Sequence, residues 1–184
     1  YKRQHKELGL KEEKNMNFIL GGRKEALKLL KSFLYDRGKN YSVEMSSPIT
    51  AIESCSKLSA HISFGNLSIK EIFQMANKRI EVLKNNSSKE NKVWIKSIRS
   101  FLKRLHWHCH FIQKLEDDPS IEFKNMHSLY DGLREEKFND KFFIAWKNGM
   151  TGFPFLDACM RSLKFNGWIN FRMRAMLMSF ASYH

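Results

Sequence analysis

The sequence has no apolar run approaching the ~18 residues that span a bilayer, so no transmembrane helix is expected in it. Its amino end, YKRQHKELGLKEEKNMN, lacks an apolar core and does not read as a signal peptide. Cysteine is scarce and odd in number: Cys55, Cys109 and Cys159 stand far apart, which argues against a disulfide scaffold and for a reducing compartment. Regular polar and apolar alternation is absent too, so no strand is predicted, and there is no internal repeat. Acid is short: 19 Asp and Glu face 32 Lys and Arg, a net charge of +13 with a pI near 9.7. Such an excess favours a polyanionic partner, nucleic acid above all, although a merely basic protein would share it. What is there, 42% hydrophobic, 13% aromatic and 28% charged residues over 184 positions, is the composition of one folded domain. The chain does not begin with Met, and a helical pattern is still running at Ser182-Tyr183-His184. A fragment of a longer protein is therefore expected, with 1–20 as lead-in and 21–184 as a single domain.

Helical periodicity dominates. RKEALKLLKSFLY, 23–35, places Leu27, Leu30 and Leu34 on one face, and Gly38 follows as a stop. Residues 41–67 are rich in Ser, contain Pro48 and Gly65 and hold no period, which predicts loop with a short helical turn. Ser68 and Glu71 form a capping-box pattern before Ile69, Ile72, Phe73, Ala76, Ile80 and Leu83. NNSSKEN, 85–91, ends that helix, and Trp94, Ile98, Phe101, Leu102, Leu105 and Ile112 carry the next to about Leu115. After EDDPSIEFKNMHS and a less regular stretch, Asp140 is expected to cap a helix through Phe142, Phe143 and Trp146 that stops at Gly149. Pro154 suits the first turn of a helix over 155–164 and Gly167 its C-terminal cap; Trp168 onward reads as helical to the end. The fold class is all-α.

Three stretches could carry chemistry. HWHCH, 106–110, has three His and one Cys, but only His106 and His110 share a helix face, and no second ligand set accompanies them. A polar face beside Trp107 is the better reading, and no metal is assigned. ESCSKLSAHISFG, 53–65, offers Ser54, Ser56, Ser59 and Lys57 in a turn-like context, the donors a diphosphate needs, or else a turn cluster. In TGFPFLDACMRSLKFNGWINFRMRAM, Asp157 and Arg161 can pair at i, i+4, while Arg172 and Arg174 lie on different faces.

Together these stretches resemble one family. TGFPFLDACMRSL followed by GWINFRMRAM is similar to the TGYP-x-x-DA-x-MR-x-L and GW-x-x-x-R-x-R block of the photolyase/cryptochrome flavoproteins. SCSKLSAHISFGNLS resembles their TSRLSPYLHFGxIS phosphate loop, and GGRKEALKLLKSFL with Tyr41 resembles their GGE-x-x-A-x-x-x-L-x-x-FL lead-in. The resemblance runs from about Gly21 to the end.

It implies the first part of an all-helical FAD-binding domain, bundle-like and incomplete at its C-terminal end. An antenna domain, with its own pigment, would precede it. By motif, Tyr41 and the loop Cys55, Ser56, Lys57, Leu58 and Ser59 would surround the FAD diphosphate. Phe101, Arg104 and His108 would line the cavity, Trp107 would pack against a damaged pyrimidine pair, Trp168 and Arg174 would contact flavin, and Arg172 would face DNA. The implied activity is light-driven repair of pyrimidine dimers in damaged duplex DNA. The alternatives are a cryptochrome-type blue-light receptor or a helical nucleic-acid module without flavin. A cytoplasmic or, in a eukaryote, nuclear location goes with these readings; a membrane partner does not.

Several positions depart from the family's pattern. Cys55 replaces Thr and donates only weakly. Lys57 replaces Arg, keeping charge without the planar fork. Asn170-Phe171 stands where His-Asn or His-His is common, so Phe171 would be the side chain near flavin N5. Arg104 stands where repair enzymes have a Glu that contacts the pyrimidines. A surface tryptophan common in the family is missing from LREEKFND, with Tyr130 and Trp146 as possible substitutes.

Overall fold

In the computed structural model of the chain, residues 18–86, 88–133 and 138–184 are described, and no strand occurs among them. Residues 1–17 of the lead-in and all of REEK, 134–137, thus lie outside the described residues. Helices α1 (Arg23–Tyr35), α5 (Ile69–Lys84) and α6 (Lys89–Asp117) form the frame. Their apolar stripes meet in one core: Ala26, Leu30, Phe33 and Leu34 from α1, Ile72, Ala76, Ile80 and Leu83 from α5, and Trp94, Ile98, Phe101, Leu102 and Leu105 from α6. Amphipathic helices of this kind gain stability from burying the shared face rather than from propensity alone.

The segment expected to be loop folds into three short helices, α2 (Tyr41–Glu44), α3 (Ala51–Ser54) and α4 (Ser59–Ser63). Periodicity could not announce them, because four or five residues are barely one turn. They are held by the frame instead. Buried Ser97 in α6 donates to the Lys39 carbonyl at 2.6 Å and accepts from Ser42 N–H at 3.1 Å, gripping the chain on both sides of Tyr41. Phe33, Tyr41 and Phe101 then close on one another with centroids 4.7 to 6.1 Å apart, two of the three pairs edge-on.

A second core joins α7 (Asp140–Asn148), α8 (Pro154–Asn166) and α9 (Phe171–Tyr183) through Leu156, Cys159, Met160, Ile169, Met173 and Leu177. The ends of these helices follow local capping chemistry. Gly149 and Gly167 take left-handed φ of 65° and 64°, which L side chains rarely adopt, and Pro154 opens α8. At Gly149 there is a second reason for glycine: a Cβ would lie 2.8 Å from the Asp157 carbonyl, so α7 and α8 approach too closely for any other residue.

Four expectations are corrected. Asn139, not Asp140, caps α7, its Oδ1 accepting from Lys141 and Phe142 N–H. The box at α5 is half formed: Ser68 Oγ accepts from Glu71 N–H, but the Glu71 carboxylate turns to Arg23 at 2.6 and 2.9 Å, a charged partner that outcompetes a backbone amide. Trp168 and Ile169 are not helical, because Asn170, extended at φ −68° and ψ 162°, caps α9 by accepting from Met173 N–H. Asp157 does not form an ion pair with Arg161 but reaches back to Thr151 N–H, Thr151 Oγ1 and Gly152 N–H at 2.6 to 3.0 Å.

That last arrangement has a pH signature. Burial alone would raise the Asp157 carboxyl, but the Thr151 and Gly152 hydrogen bonds and the nearby Arg161 charge outweigh it and hold the group below its ordinary value. Its stabilising contribution is therefore complete above the ordinary Asp value of about 3.9 and is lost as pH falls through the lowered value. Asp157→Asn is expected to flatten the acid limb of stability, read as urea midpoints between about pH 3 and 6. A variant whose midpoint still falls as steeply as that of the parent protein would assign the acid sensitivity elsewhere.

Candidate functional site

Where the two cores meet, the chain gathers most of the residues singled out in its sequence. The first ingredient is the loop between α3 and α4. Lys57 is the only non-glycine among the described residues with positive φ, 57°, and Leu58 follows at φ −86° and ψ −6°. A left-handed residue followed by a right-handed one turns successive amides to one side, the geometry of an anion-binding nest. Among the described residues no carbonyl or side chain accepts from the amides of Ser56, Lys57, Leu58 or Ser59. The carbonyls go the other way, onto Arg37. Its Nη1 donates to the carbonyls of Glu53, at 3.1 Å, and of Cys55; Nη2 donates to those of Ser56 at 3.0 Å and Leu29 at 3.5 Å; Nε donates to Ser32 Oγ at 3.1 Å. The loop thereby presents donors on one side and spends its acceptors on the other.

The side chains divide the work. Leu58 is buried in the first core, so it offers a ligand only its amide. Burial pushes the Cys55 thiol up to about 11, with Arg37 and Lys57 opposing, and the Tyr41 phenol up to about 12, with Arg104 opposing. Both stay neutral near pH 7 and act as weak hydrogen-bonding groups, not as anions that would repel a phosphate. Burial lowers Lys57, and neighbouring Arg37 lowers it further; its Nζ lies 5.9 Å over the Trp168 ring. The thiols differ accordingly in reactivity. Cys109 is exposed on α6 and is expected to react with a thiol reagent in the folded state, while Cys55 and Cys159 react only on denaturation. Counting labelled cysteines by mass spectrometry checks this; early labelling of Cys55 would contradict it.

The second ingredient is the α6 face. Phe101 is buried in the aromatic trio, and one turn on Arg104 is exposed, its guanidinium facing the Tyr41 hydroxyl and lying 5.8 Å over the Phe171 ring. Trp107 and His108 continue that face outward, with Trp107 53% exposed and packed edge-on to His110. His106 meets Phe73 instead, and among the described residues no group of three His, Cys, Asp or Glu could hold a metal.

The third is the 168–174 segment. Trp168 packs on the first core and Phe171 stands exposed above Arg104. Arg174 turns its Nη2 to the Ile169 carbonyl at 3.2 Å, while Arg172 is exposed. Thus Tyr41, the 55–59 loop, Phe101, Arg104, Trp168 and Phe171 come together; Trp107, His108 and Arg172 lie around them on the surface. Trp146 is elsewhere, its Nε1 donating to the Leu177 carbonyl, and Tyr130 is exposed.

Three contributors were not singled out as site builders. Arg37 orders the loop carbonyls. Buried Asn170 donates to the carbonyls of Met45 and Ser47 at 3.3 and 3.0 Å, joining the second core to the α2 region. His61, fully buried in α4, holds Asn66 through Nδ1 at 3.1 Å, and its Nε2 has no partner among the described residues. Only Asn170 had a sequence signal, an Asn standing before an apolar helix.

The sequence and the fold both have known counterparts. Residues 101–184 match the model of the FAD binding domain of DNA photolyase. A deoxyribodipyrimidine photo-lyase of Buchnera aphidicola is 31% identical over 168 residues, covering 90% of this chain and 32% of its own length. Cryptochrome-2 of Arabidopsis thaliana is 30% identical over 187 residues, covering 95% of this chain and 29% of its own. The crystal structure of a class III photolyase from Agrobacterium tumefaciens superposes with a TM-score of 0.70 at 28% identity, over 86% of this chain and 30% of that one. The chain thus spans between a quarter and about a third of the length of such curated relatives. Matching motifs, helical fold and relatives coincide, and the chain belongs to the photolyase/cryptochrome family, within its helical FAD-binding domain.

Proposed function

We propose that this chain forms part of the FAD cradle of a light-driven DNA photolyase. The observation that carries the reading is the 55–59 loop: four amides without an acceptor among the described residues, one left-handed Lys, and carbonyls withdrawn onto Arg37. That donor set fits a diphosphate. Ser56, Lys57, Leu58 and Ser59 would hold it, with Tyr41 and Cys55 as neutral neighbours and Trp168 closing over Lys57. Phe101, Arg104, His108, Phe171 and Arg174 complete the wall facing the rest of the cofactor. Bound FAD supplies the light absorption and the electron on which repair depends.

The residues of this chain bind and orient. Trp107 offers an exposed ring on which an extruded pyrimidine pair can stack, and extrusion is easiest for a damaged, poorly stacked pair. Arg104 and Arg172, with the net charge of +13, meet the DNA. The wider protein carries the antenna pigment, and 21–184 is a part of one domain that is inactive alone. It works in the cytoplasm or, in a eukaryote, the nucleus; among the described residues no helix is long and apolar enough to cross a membrane.

Cryptochromes of Arabidopsis thaliana and Sinapis alba are also among the relatives, so the second reading is a blue-light receptor that binds FAD without repair. Illuminating the whole flavin-loaded protein with dimer-containing DNA separates the two. Loss of dimers that stops with Lys57→Ala, in step with lost flavin, supports the first reading; bound flavin without repair overturns it.

A further inference from the structure

Arg104 is a cation without a carboxylate. It makes no ion pair and no hydrogen bond to an acid among the described residues, and its contacts are the flat Phe171 ring, 5.8 Å away, and the Tyr41 hydroxyl. A guanidinium held over a ring by cation–π attraction still has N–H edges free to donate in its own plane. One helical turn along α6 stands the exposed Trp107 ring, and His108 lies beside it. A stacking ring beside a donor edge is an arrangement that reads a nucleobase, the ring taking its face and the guanidinium its acceptor oxygens. A carboxylate at the same place would do the opposite, accepting from the base N3–H.

Resting on the photolyase reading above, we infer that Arg104 sets the specificity of this lesion pocket, selecting the carbonyl oxygens of the extruded pyrimidines and not their N3–H donors. Phe171 is the matching partner: its ring lies 5.8 Å from the guanidinium that Arg104 presents. The two departures from the family's pattern, Arg104 and Phe171, are then one device, since each is in contact with the other across α6 and α9.

The test is dark binding of fluorescein-labelled single-stranded oligonucleotides to the whole flavin-loaded protein, followed by anisotropy. One oligonucleotide carries a cyclobutane thymine dimer, a second the same dimer methylated at both N3 atoms, and a third no lesion. Methylation removes the donors and keeps the carbonyl oxygens. The parent protein is expected to bind the two dimers within about threefold of each other, since no acceptor reads N3–H. Arg104→Gln is expected to lose about tenfold on both, within the range for one bidentate base contact. Arg104→Glu is expected to restore a preference for the unmethylated dimer. Arg104→Lys, which keeps charge without the fork, is expected to fall between parent and Arg104→Gln. A guanidinium can also meet a phosphate, and the salt dependence separates the two: the log–log slope stays unchanged in Arg104→Gln if the contact is a carbonyl, and drops by about one if it is a phosphate.

Three results would overturn the inference. They are a tenfold loss on N3-methylation in the parent protein, unchanged dimer binding by Arg104→Gln, and a salt slope reduced by about one. If the parent protein binds the dimer no better than undamaged DNA, the repair reading falls with it. Clear dimer preference with silent Arg104 variants sinks only the specificity claim.

Discussion

Replacing Arg37 with alanine is expected to lower the stability of the chain by about 3 kcal/mol and to abolish retention of the cofactor. The guanidinium serves four carbonyls, of Leu29, Glu53, Cys55 and Ser56, and the Ser32 hydroxyl. Hydrogen bonds from a charged donor are worth about 1.5–3 kcal/mol each, but bonds sharing one side chain are not additive and Arg37 is only partly buried. The figure of about 3 kcal/mol is discounted on both grounds. Without Arg37 the carbonyls of Cys55 and Ser56 have no reason to point inward, and rotation of those peptides would turn oxygens toward the side where a diphosphate needs N–H. Arg37→Lys keeps the charge but cannot span acceptors on four different residues, so an intermediate loss is expected. Urea unfolding midpoints and the flavin content of the purified whole protein measure the two effects. A stable, fully flavin-loaded Arg37→Ala protein would remove this residue from the account of the loop.

The difference between what was readable and what was not follows from the range of the interaction. Ser68, Gly149, Pro154 and Gly167 act within one turn of themselves, so their roles as helix ends are visible in a single line of sequence. Long stripes such as Leu30 and Leu34, or Trp94 to Leu105, are visible for the same reason. Arg37 is not: Glu53, Cys55 and Ser56 lie 16 to 19 residues away, and no local pattern records them. Asn170 is half visible. Its cap over Met173 N–H is local, while its bonds to Met45 and Ser47 cross 125 and 123 residues. Asp157 shows the opposite failure, in which a legitimate i, i+4 pairing with Arg161 is displaced by closer donors at Thr151 and Gly152. For the site itself, the 55–59 loop could be located by its motif, but whether its amides were free could be learned only from the fold.

Gly38→Ala is expected to be the most damaging single methyl in the chain. In the sequence Gly38 reads as a helix stop, yet its φ is not left-handed, so conformational freedom is not what requires glycine here. Space is. A Cβ at this position would lie 2.2 Å from the Phe33 carbonyl oxygen and 2.8 Å from two atoms of the Phe33 ring, distances that real structures do not tolerate. The carbonyl is backbone in α1 and cannot rotate aside, and the ring is fully buried against Tyr41 and Phe101. Relief must therefore come from moving the turn Arg37–Asn40 away from α1, which pulls on both Arg37 and Tyr41. Overpacking a tight core costs about 1–3 kcal/mol, and a clash with backbone on one side belongs at the upper end of that range. Since Phe33 also sets the Tyr41 and Phe101 rings, the loss reaches the wall proposed to face the cofactor. Thermal unfolding should shift down by many degrees, and flavin affinity should fall even at temperatures where the protein remains folded. Phe33→Leu in the same background supplies the decisive control: trimming the ring removes only the 2.8 Å contacts and leaves the 2.2 Å contact with the carbonyl. A Gly38→Ala protein rescued fully by Phe33→Leu would show that the ring, and not the α1 backbone, is what excludes a side chain at position 38.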